Sequence, residues 1–272
     1  MQLKKPGEKP RGISEYKPGV LNMIASSAVF QPTVSTKTRK IVGFEALARF
    51  RNLGTDEIVS PGELIPALTL IEHKKLFELM HERSLRALVK MNGTPVPISL
   101  NVPPDLISFG YVDEILASTP DYYKPFVKLE ILEYAISDWK KLYIGMLRLY
   151  KKGFGFYIDD FGLNAEHWQS LLLPGIEKIK FDRLFVPSVE PGFRGQKLKT
   201  LDSWALWTRL NHVGSALEGV EHDWEYQQIA RIVDEVQGYF TGRPQPIDFW
   251  LEPSCAERAL SPKQRRGLAP PL

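Results

Sequence analysis

Two adjacent aspartates follow an apolar run near the middle of the chain. In the stretch FYIDDFG, Asp159 and Asp160 come directly after residues 156–158. Carboxylate oxygens are the ligands that hard ions such as Mg²⁺ and Mn²⁺ prefer. One carboxylate of such a pair can bridge two ions, and a metal pair stabilises the attacking and leaving oxygens of a phosphodiester displacement. The two aspartates are therefore candidate ligands of a metal pair.

Other short apolar runs along the chain also end in polar residues. These residues are Glu45, Asn101, Glu130, Lys180, Glu218 and Gln237, and Glu221 follows closely after Glu218. Taken singly, each has a plainer interpretation as a helix cap, a turn residue or a solvated strand end. Their recurrence at successive run ends favours a functional cluster. Crowded carboxylates repel one another unless cations neutralise them, and Lys180 could orient or deprotonate an attacking water or offset charge on a phosphate.

The elements that carry these residues alternate between strand-like and helical patterns. Such alternation predicts a parallel sheet with both faces covered. About seven units in one uninterrupted domain favour a closed α/β barrel over an open sheet, and functional side chains of such barrels gather at the carboxyl ends of the strands. We therefore expect the polar residues to converge on one mouth of a TIM-like barrel.

The longest interval between strands has room for two helical segments. Pro61 stands where a helix would begin. Leu64, Ile65, Leu68 and Ile71 then fit a single apolar stripe on that helix. Further along, Trp204 and Trp207 are three residues apart and would share one helix face, where packing against the barrel is the preferred interpretation over a partner surface.

The composition of the chain indicates the compartment of the protein and limits its binding partners. The chain of 272 residues has one cysteine and therefore no intrachain disulfide, which favours a reducing compartment. No stretch approaches the roughly 20 apolar residues of a membrane helix, and the basic N-terminus lacks the apolar core of a signal peptide. We expect a cytoplasmic protein without membrane insertion. The ends are basic and the body is slightly acidic, which makes nucleic-acid binding an unlikely function.

We expect three segments along the chain. Residues 1–27 form a basic tail rich in Pro and Gly, residues 28–255 form the barrel domain, and residues 256–272 form a basic, Pro-rich tail. No sensor or receiver segment is recognisable in the sequence. The protein would then be regulated through its expression, by a regulatory protein partner or by the tails.

The motifs, taken in order, resemble those of one family. Glu45-Ala46-Leu47 stands within GFEALAR, and the other matching stretches are FQPTV, SLNVPP, LEILE, IDDFG, KIKFDRLFV, EGVE and QGYFTGRP. Together they make residues 28–250 similar to the EAL-domain cyclic-di-GMP phosphodiesterases of bacterial signalling. The resemblance implies a TIM-like (β/α)8 barrel with one strand antiparallel. It also implies a hydrolase that converts cyclic di-GMP to linear pGpG with two Mg²⁺ or Mn²⁺ ions per site.

The resemblance also assigns roles to individual residues. Glu45, Asn101, Glu130 and Asp159 would hold one ion; Asp159 would bridge to the second, which Asp160 and Glu218 would complete. Lys180 would act on the nucleophilic water, and Lys180, Glu218 and Glu45 are the expected catalytic residues. Glu221 and Gln237 would support the metal site. Gln31, Leu47 and Arg49 would bind the substrate, and Glu133 would anchor the loop after the double aspartate.

The chain departs from the family pattern in the loop after IDDFG. Residues 163–167 read LNAEH, without the glycine and serines of the family, and Leu132 stands where the paired-Glu motif has threonine. The alternative is therefore a catalytically weak or inactive protein that serves as a cyclic-di-GMP receptor or a protein-interaction regulator. A homodimer is compatible with either. A barrel that abstracts a proton beside a carboxylate would use the same groups, but its motifs are not found here.

Overall fold

The computed structural model describes residues 24–131, 136–162 and 167–252. Several predicted features lie outside the described residues: most of both tails, Glu133, Leu132 and loop residues 163–166. The first described strand begins at Ile24, a few residues before the expected domain start at residue 28. None of the described helices combines the length and apolar character that a bilayer crossing demands.

The described ranges contain nine strands. They are β1 (Ile24–Ser35), β2 (Ile41–Asn52), β3 (Ile58–Val59), β4 (Ile98–Val102), β5 (Val127–Ile131), β6 (Gly155–Phe161), β7 (Ile176–Phe181), β8 (Gly214–Leu217) and β9 (Glu235–Gln237). The strands from β4 to β9 are short and buried along nearly their whole length. Such continuous burial is expected of strands covered on both faces.

Eight of the described strands close into a barrel. The order around it is β1-β9-β8-β7-β6-β5-β4-β2, and β2 pairs back to β1, while β3 extends β2 on the outside. The pairings from β2 through β4 to β9 are parallel. The strand β1 is antiparallel to both of its neighbours. The prediction of a TIM-like barrel with one antiparallel strand is confirmed.

Helices surround the barrel. They are α1 (Pro61–Leu64), α2 (Leu70–Lys90), α3 (Pro104–Ser108), α4 (Asp113–Ala117), α5 (Trp139–Lys151), α6 (Pro191–Leu210), α7 (Asp223–Ile229) and α8 (Ile247–Leu251). The longer helices bury one face against the strands. On α6, Trp204 packs edge-on against Phe161, with ring centroids 5.0 Å apart, and Trp207 also packs against the core. Both positions agree with the packing interpretation of these tryptophans.

The predicted helix after Pro61 is interrupted. The helix α1 ends at Leu64, a 3₁₀ turn covers Ile65–Ala67, and α2 begins only at Leu70. Thr69 causes the restart: its side chain accepts a hydrogen bond from the amide of Glu72, whose carboxylate accepts one from the amide of Thr69. The single apolar stripe is therefore wrong, and Ile71 is 71% exposed because the break changes its direction.

Candidate active site

The strands bring the predicted polar residues to one end of the barrel interior. Asn101, Glu130 and Asp159 lie within β4, β5 and β6; Lys180 lies in β7, Glu218 directly follows β8, and Gln237 ends β9. Glu45 differs from the prediction because it lies in the middle of β2, not at its end. The parallel pairing of β2 with β4 stops one residue later, and β2 then continues as a hairpin with β1 and pairs with β3 near its end.

Lys180 is the centre of the cluster. Its ammonium Nζ lies 3.3 Å from Oε2 of Glu45, 2.8 Å from Oε1 of Glu130, 2.9 Å from Oδ1 of Asp159 and 2.6 Å from Oε1 of Glu218. Burial alone would lower the pKa of Lys180, but the surrounding carboxylates raise it well above its usual value. One buried ammonium therefore faces four carboxylates.

Glu45 is the most strongly hydrogen-bonded of these carboxylates. The side-chain amide of Asn101 donates to its Oε1 at 2.8 Å, and that of Gln237 donates to its Oε2 at 2.5 Å. Burial would raise the pKa of Glu45, but the Lys180 ammonium and the two amide donors outweigh it, so the pKa is lowered. Glu45 is thus held as a carboxylate.

Glu130 is the least satisfied member of the cluster. It is fully buried, and within the described part of the chain neither of its oxygens accepts a hydrogen bond. Its contact with Lys180 is an ion pair without hydrogen-bond geometry. Burial, together with the charges of Glu45 and Asp159, raises the pKa of Glu130 to about 8 despite Lys180. A buried carboxylate with unpaired oxygens is a group that a cation would stabilise.

Asp160 turns away from the strand direction. Its backbone has a positive φ of 51°, a conformation that Asp tolerates better than most residues. Burial and then the charges of Asp159 and Asp182 raise the pKa of Asp160 to about 6. In a regular strand, adjacent side chains point to opposite faces. The turn at Asp160 instead brings the carboxylates of Asp159 and Asp160 to the same site.

The donor set fits divalent cations. Ligand oxygens of Asp159, Asp160 and Glu218 all lie within 4.8 Å of one another. The unpaired oxygens of Glu130 and the excess of carboxylates over ammonium give a second, independent indication. Oxygen ligands without Cys or His suit Mg²⁺ or Mn²⁺. The residues therefore fit the kind of metal site that the sequence predicts.

A cavity of about 240 Å³ opens above the cluster. Glu45 and Glu218 form part of its wall, and the predicted residues Gln31, Leu47 and Glu221 also line it. Glu221 is exposed, and its backbone amide donates to Glu225 at 2.7 Å. These residues surround enough space to admit a ligand to the carboxylates.

Arg49 occupies a different position from the cavity residues. It is half-buried, and its guanidinium donates to the carbonyl of Ala48 at 2.9 Å. Burial lowers its pKa, and the nearby Tyr239 and Glu45 oppose that effect. The arginine that lines the cavity is Arg183 instead.

Sequence reasoning missed three residues near the site. Arg183 and Tyr239 line the cavity, and Asp182 is buried close enough to Asp160 to raise its pKa. Asp182 and Arg183 lie in KIKFDRLFV and Tyr239 lies in QGYFTGRP, so both motifs contained the signal. Only the convergence of β7 and β9 on the cavity singles these residues out.

A closed TIM-like barrel with a carboxylate-lined mouth defines the class of this protein. The EAL domain model matches residues 25–244, and the chain belongs to this family. Cyclic di-GMP phosphodiesterase PA2567 of Pseudomonas aeruginosa is 29% identical over 82% of this chain and 39% of its own length. Cyclic di-GMP phosphodiesterase RocR of the same organism is 27% identical over 83% of this chain and 59% of its own length.

Solved structures agree with the fold. An EAL domain protein from Listeria monocytogenes superposes with a TM-score of 0.69 at 22% identity, covering 82% of this chain and 90% of that one. The PaMucR phosphodiesterase in complex with c-di-GMP gives a TM-score of 0.68 at 23% identity, covering 85% of this chain and 96% of that one. The barrel is therefore the EAL domain fold.

Proposed function

We propose that this protein hydrolyses cyclic di-GMP to linear pGpG in a metal-dependent reaction and so lowers the level of this second messenger. The observation that carries the proposal is the cluster of four carboxylates around Lys180 beneath an open cavity. Family membership supplies the substrate class, because the similar proteins named above are cyclic di-GMP phosphodiesterases. The cytoplasm as its location and a homodimer stay predictions.

Two ions, Mg²⁺ or Mn²⁺, are proposed for the site. Glu45, Asn101, Glu130 and Asp159 would hold the first, Asp159 would be shared, and Asp160 and Glu218 would complete the second. Gln237 and Glu221 would support this arrangement. When bound, the ions would stabilise the negative charge that develops on the phosphate and on the attacking and leaving oxygens.

The residues of the chain then direct the displacement. A water oxygen attacks one phosphorus as the water gives up a proton, the bond from that phosphorus to a ribose 3′ oxygen breaks, and this oxygen takes up a proton to become a hydroxyl. Lys180 would orient the water and offset charge on the phosphate, while Glu45 and Glu218 hold the ammonium in place. Gln31 and Leu47 in the cavity, with Arg49 beside it, would position the nucleotide.

Turnover by purified protein tests the proposal. The protein is incubated with cyclic di-GMP and Mg²⁺ or Mn²⁺, and the products are separated by chromatography. We expect pGpG from the wild type and none from Glu45→Ala, whereas Glu78→Ala, an exposed glutamate on α2, retains full activity.

The absence of pGpG with either metal would overturn the catalytic proposal. Cyclic di-GMP binding by the same sample would then favour the receptor alternative. That alternative depends on the altered loop at residues 163–167, of which 163–166 lie outside the described residues.

A further inference from the structure

A hydrogen-bond chain leads from β1 to the carboxylate cluster. The hydroxyl of Thr33 donates to Oε1 of Gln237 at 3.0 Å, and the Nε2 of Gln237 donates to Oε2 of Glu45 at 2.5 Å. The three side chains are 6%, 4% and 7% exposed, respectively. Since all are buried, water cannot easily replace either contact.

The strand register explains why Thr33 reaches Gln237. These two residues are directly paired between β1 and β9, and opposed residues on antiparallel strands project to the same face. Gln31 lines the outer cavity, and Thr33, two residues further along, lies on the same face of β1 but deeper. The antiparallel strand thus contributes a hydroxyl to the floor of the site.

The Gln237 amide is held at both ends. Its Nε2 serves the Glu45 carboxylate, which can only accept hydrogen bonds, and its Oε1 takes the Thr33 proton. Without the hydroxyl, Oε1 is a buried acceptor without a donor among the described residues, and rotation of the amide towards another donor would remove Nε2 from Glu45. Strand packing alone would be served equally by valine, which has the same shape.

We propose that Thr33 is a positioning residue that fixes the Gln237 amide and, through it, the orientation of the Glu45 carboxylate for metal binding. This inference rests on the proposed function, because it assigns Glu45 to a metal ion. Residues that orient metal ligands from outside the coordination sphere typically change metal affinity when they are replaced.

Direct Mn²⁺ titration by calorimetry tests the role of the hydroxyl. Thr33→Val removes the donor and keeps the shape, whereas Thr33→Ser keeps the donor and removes a methyl group. Thr36→Val is the matched control: Thr36 is also buried beside β1, and its hydroxyl donates to the carbonyls of Val233 and Asp234, away from the cluster.

We expect Thr33→Val to bind Mn²⁺ about tenfold more weakly than the wild type. Thr33→Ser and Thr36→Val should stay within about twofold, even where thermal stability falls. Wild-type affinity in Thr33→Val overturns the proposal, and so does an equal loss in Thr36→Val, which would attribute the effect to general destabilisation. A failure of Thr33→Ser to restore affinity would assign the effect to the methyl group.

A second measurement needs neither metal nor nucleotide. The side-chain amide protons of Gln237, assigned by their disappearance in Gln237→Met, should exchange with solvent faster in Thr33→Val than in the wild type. Unchanged exchange overturns the positioning role. If the wild type binds no Mn²⁺, the proposed metal site fails, while the exchange measurement still decides whether Thr33 holds the amide.

Discussion

Two layers of the barrel interior use lysine in opposite ways. In the lower layer, the ammonium of Lys178 lies 2.5 Å from Glu235 and that of Lys128 lies 2.6 Å from Glu177, so each has one carboxylate partner within the described part of the chain. In the upper layer, two residues further along β7, Lys180 contacts four carboxylates. We call these the paired layer and the acidic layer.

The difference separates structural charge from functional charge. A one-to-one ion pair is balanced in charge, and the paired layer also packs the ammonium of Lys178 4.3 Å from the ring centre of Tyr157. Among the described residues, the acidic layer has four carboxyl groups for one ammonium, and the raised pKa of Glu130 shows that burial disfavours their charged forms without a cation. Such an excess is retained where a cation binds, and for this reason the acidic layer, not the paired layer, is the candidate site.

The largest expected effect contrasts the two lysines of β7. Lys180→Met should lower kcat/KM for cyclic di-GMP about a thousandfold, equivalent to about 4 kcal/mol, because the ammonium proposed to offset transition-state charge is lost. Lys178→Met should leave kcat/KM within about threefold while it lowers the free energy of unfolding by about 3 kcal/mol. Steady-state kinetics and urea unfolding of both variants measure kcat/KM and the free energy of unfolding. An equal loss of activity in Lys178→Met would remove the distinction between the layers.

A buried histidine contrasts with the acidic layer. It lies where burial disfavours the cationic form, whereas the acidic layer favours a cation. His81 on α2 is 2% exposed, and its Nε2 lies 2.7 Å from the hydroxyl of Thr119. Burial lowers the pKa of His81 from 6.5 to about 4. Between about pH 4 and pH 6.5, His81 is therefore protonated in the unfolded chain and neutral in the folded chain.

Stability should consequently fall as the pH drops from 6.5 to about 4. The contribution of neutral His81 to the free energy of unfolding is fully present above pH 6.5 and amounts to roughly 3 kcal/mol. Urea unfolding across this range should show a steeper decline for the wild type than for His81→Gln, which does not titrate. Parallel curves would contradict the prediction.

Metal addition should stabilise the folded protein by binding at the acidic layer and not at the paired layer. With free Mn²⁺ at about 100 times its Kd, the free energy of unfolding should rise by about 2.7 kcal/mol, because only the folded protein assembles the ligands. Thermal unfolding with and without a chelator measures the gain. Asp160→Asn should lose most of it and Lys178→Met should keep it; the reverse pattern would place the cation in the paired layer.

The smallest expected effect concerns the cation at the cavity wall. Arg183 is exposed and lines the same cavity as Glu45 and Glu218, and we expect its guanidinium to bind a substrate phosphate there. Arg183→Gln should raise the KM for cyclic di-GMP about tenfold, or about 1.4 kcal/mol, with little change in kcat. Arg86→Gln on α2 is the control, since Arg86 lies on the outer helix layer. A KM equal to that of the wild type would exclude this contact.

Local sequence patterns predicted the barrel and the convergence of most residues of the candidate site. The runs around Asn101, Glu130 and Asp159 have the length and burial that strands of a covered parallel sheet require, so their polar residues had to meet at one end. The stripe through Ile71 failed because Pro66 and the Thr69 cap act locally to end one helix and start another. Periodicity alone does not detect such a break.

The sequence by itself determined which residues form the acidic layer, because strand polarity and the double aspartate are properties of consecutive residues. The tertiary structure alone decided which of these residues contact one another. It placed Lys180 against four carboxylates, left Glu130 without a hydrogen bond from any described residue and brought Thr33 beneath Gln237. These contacts join residues up to 204 positions apart in the chain. Their geometry depends on the register and closure of the barrel, which no short stretch of sequence specifies.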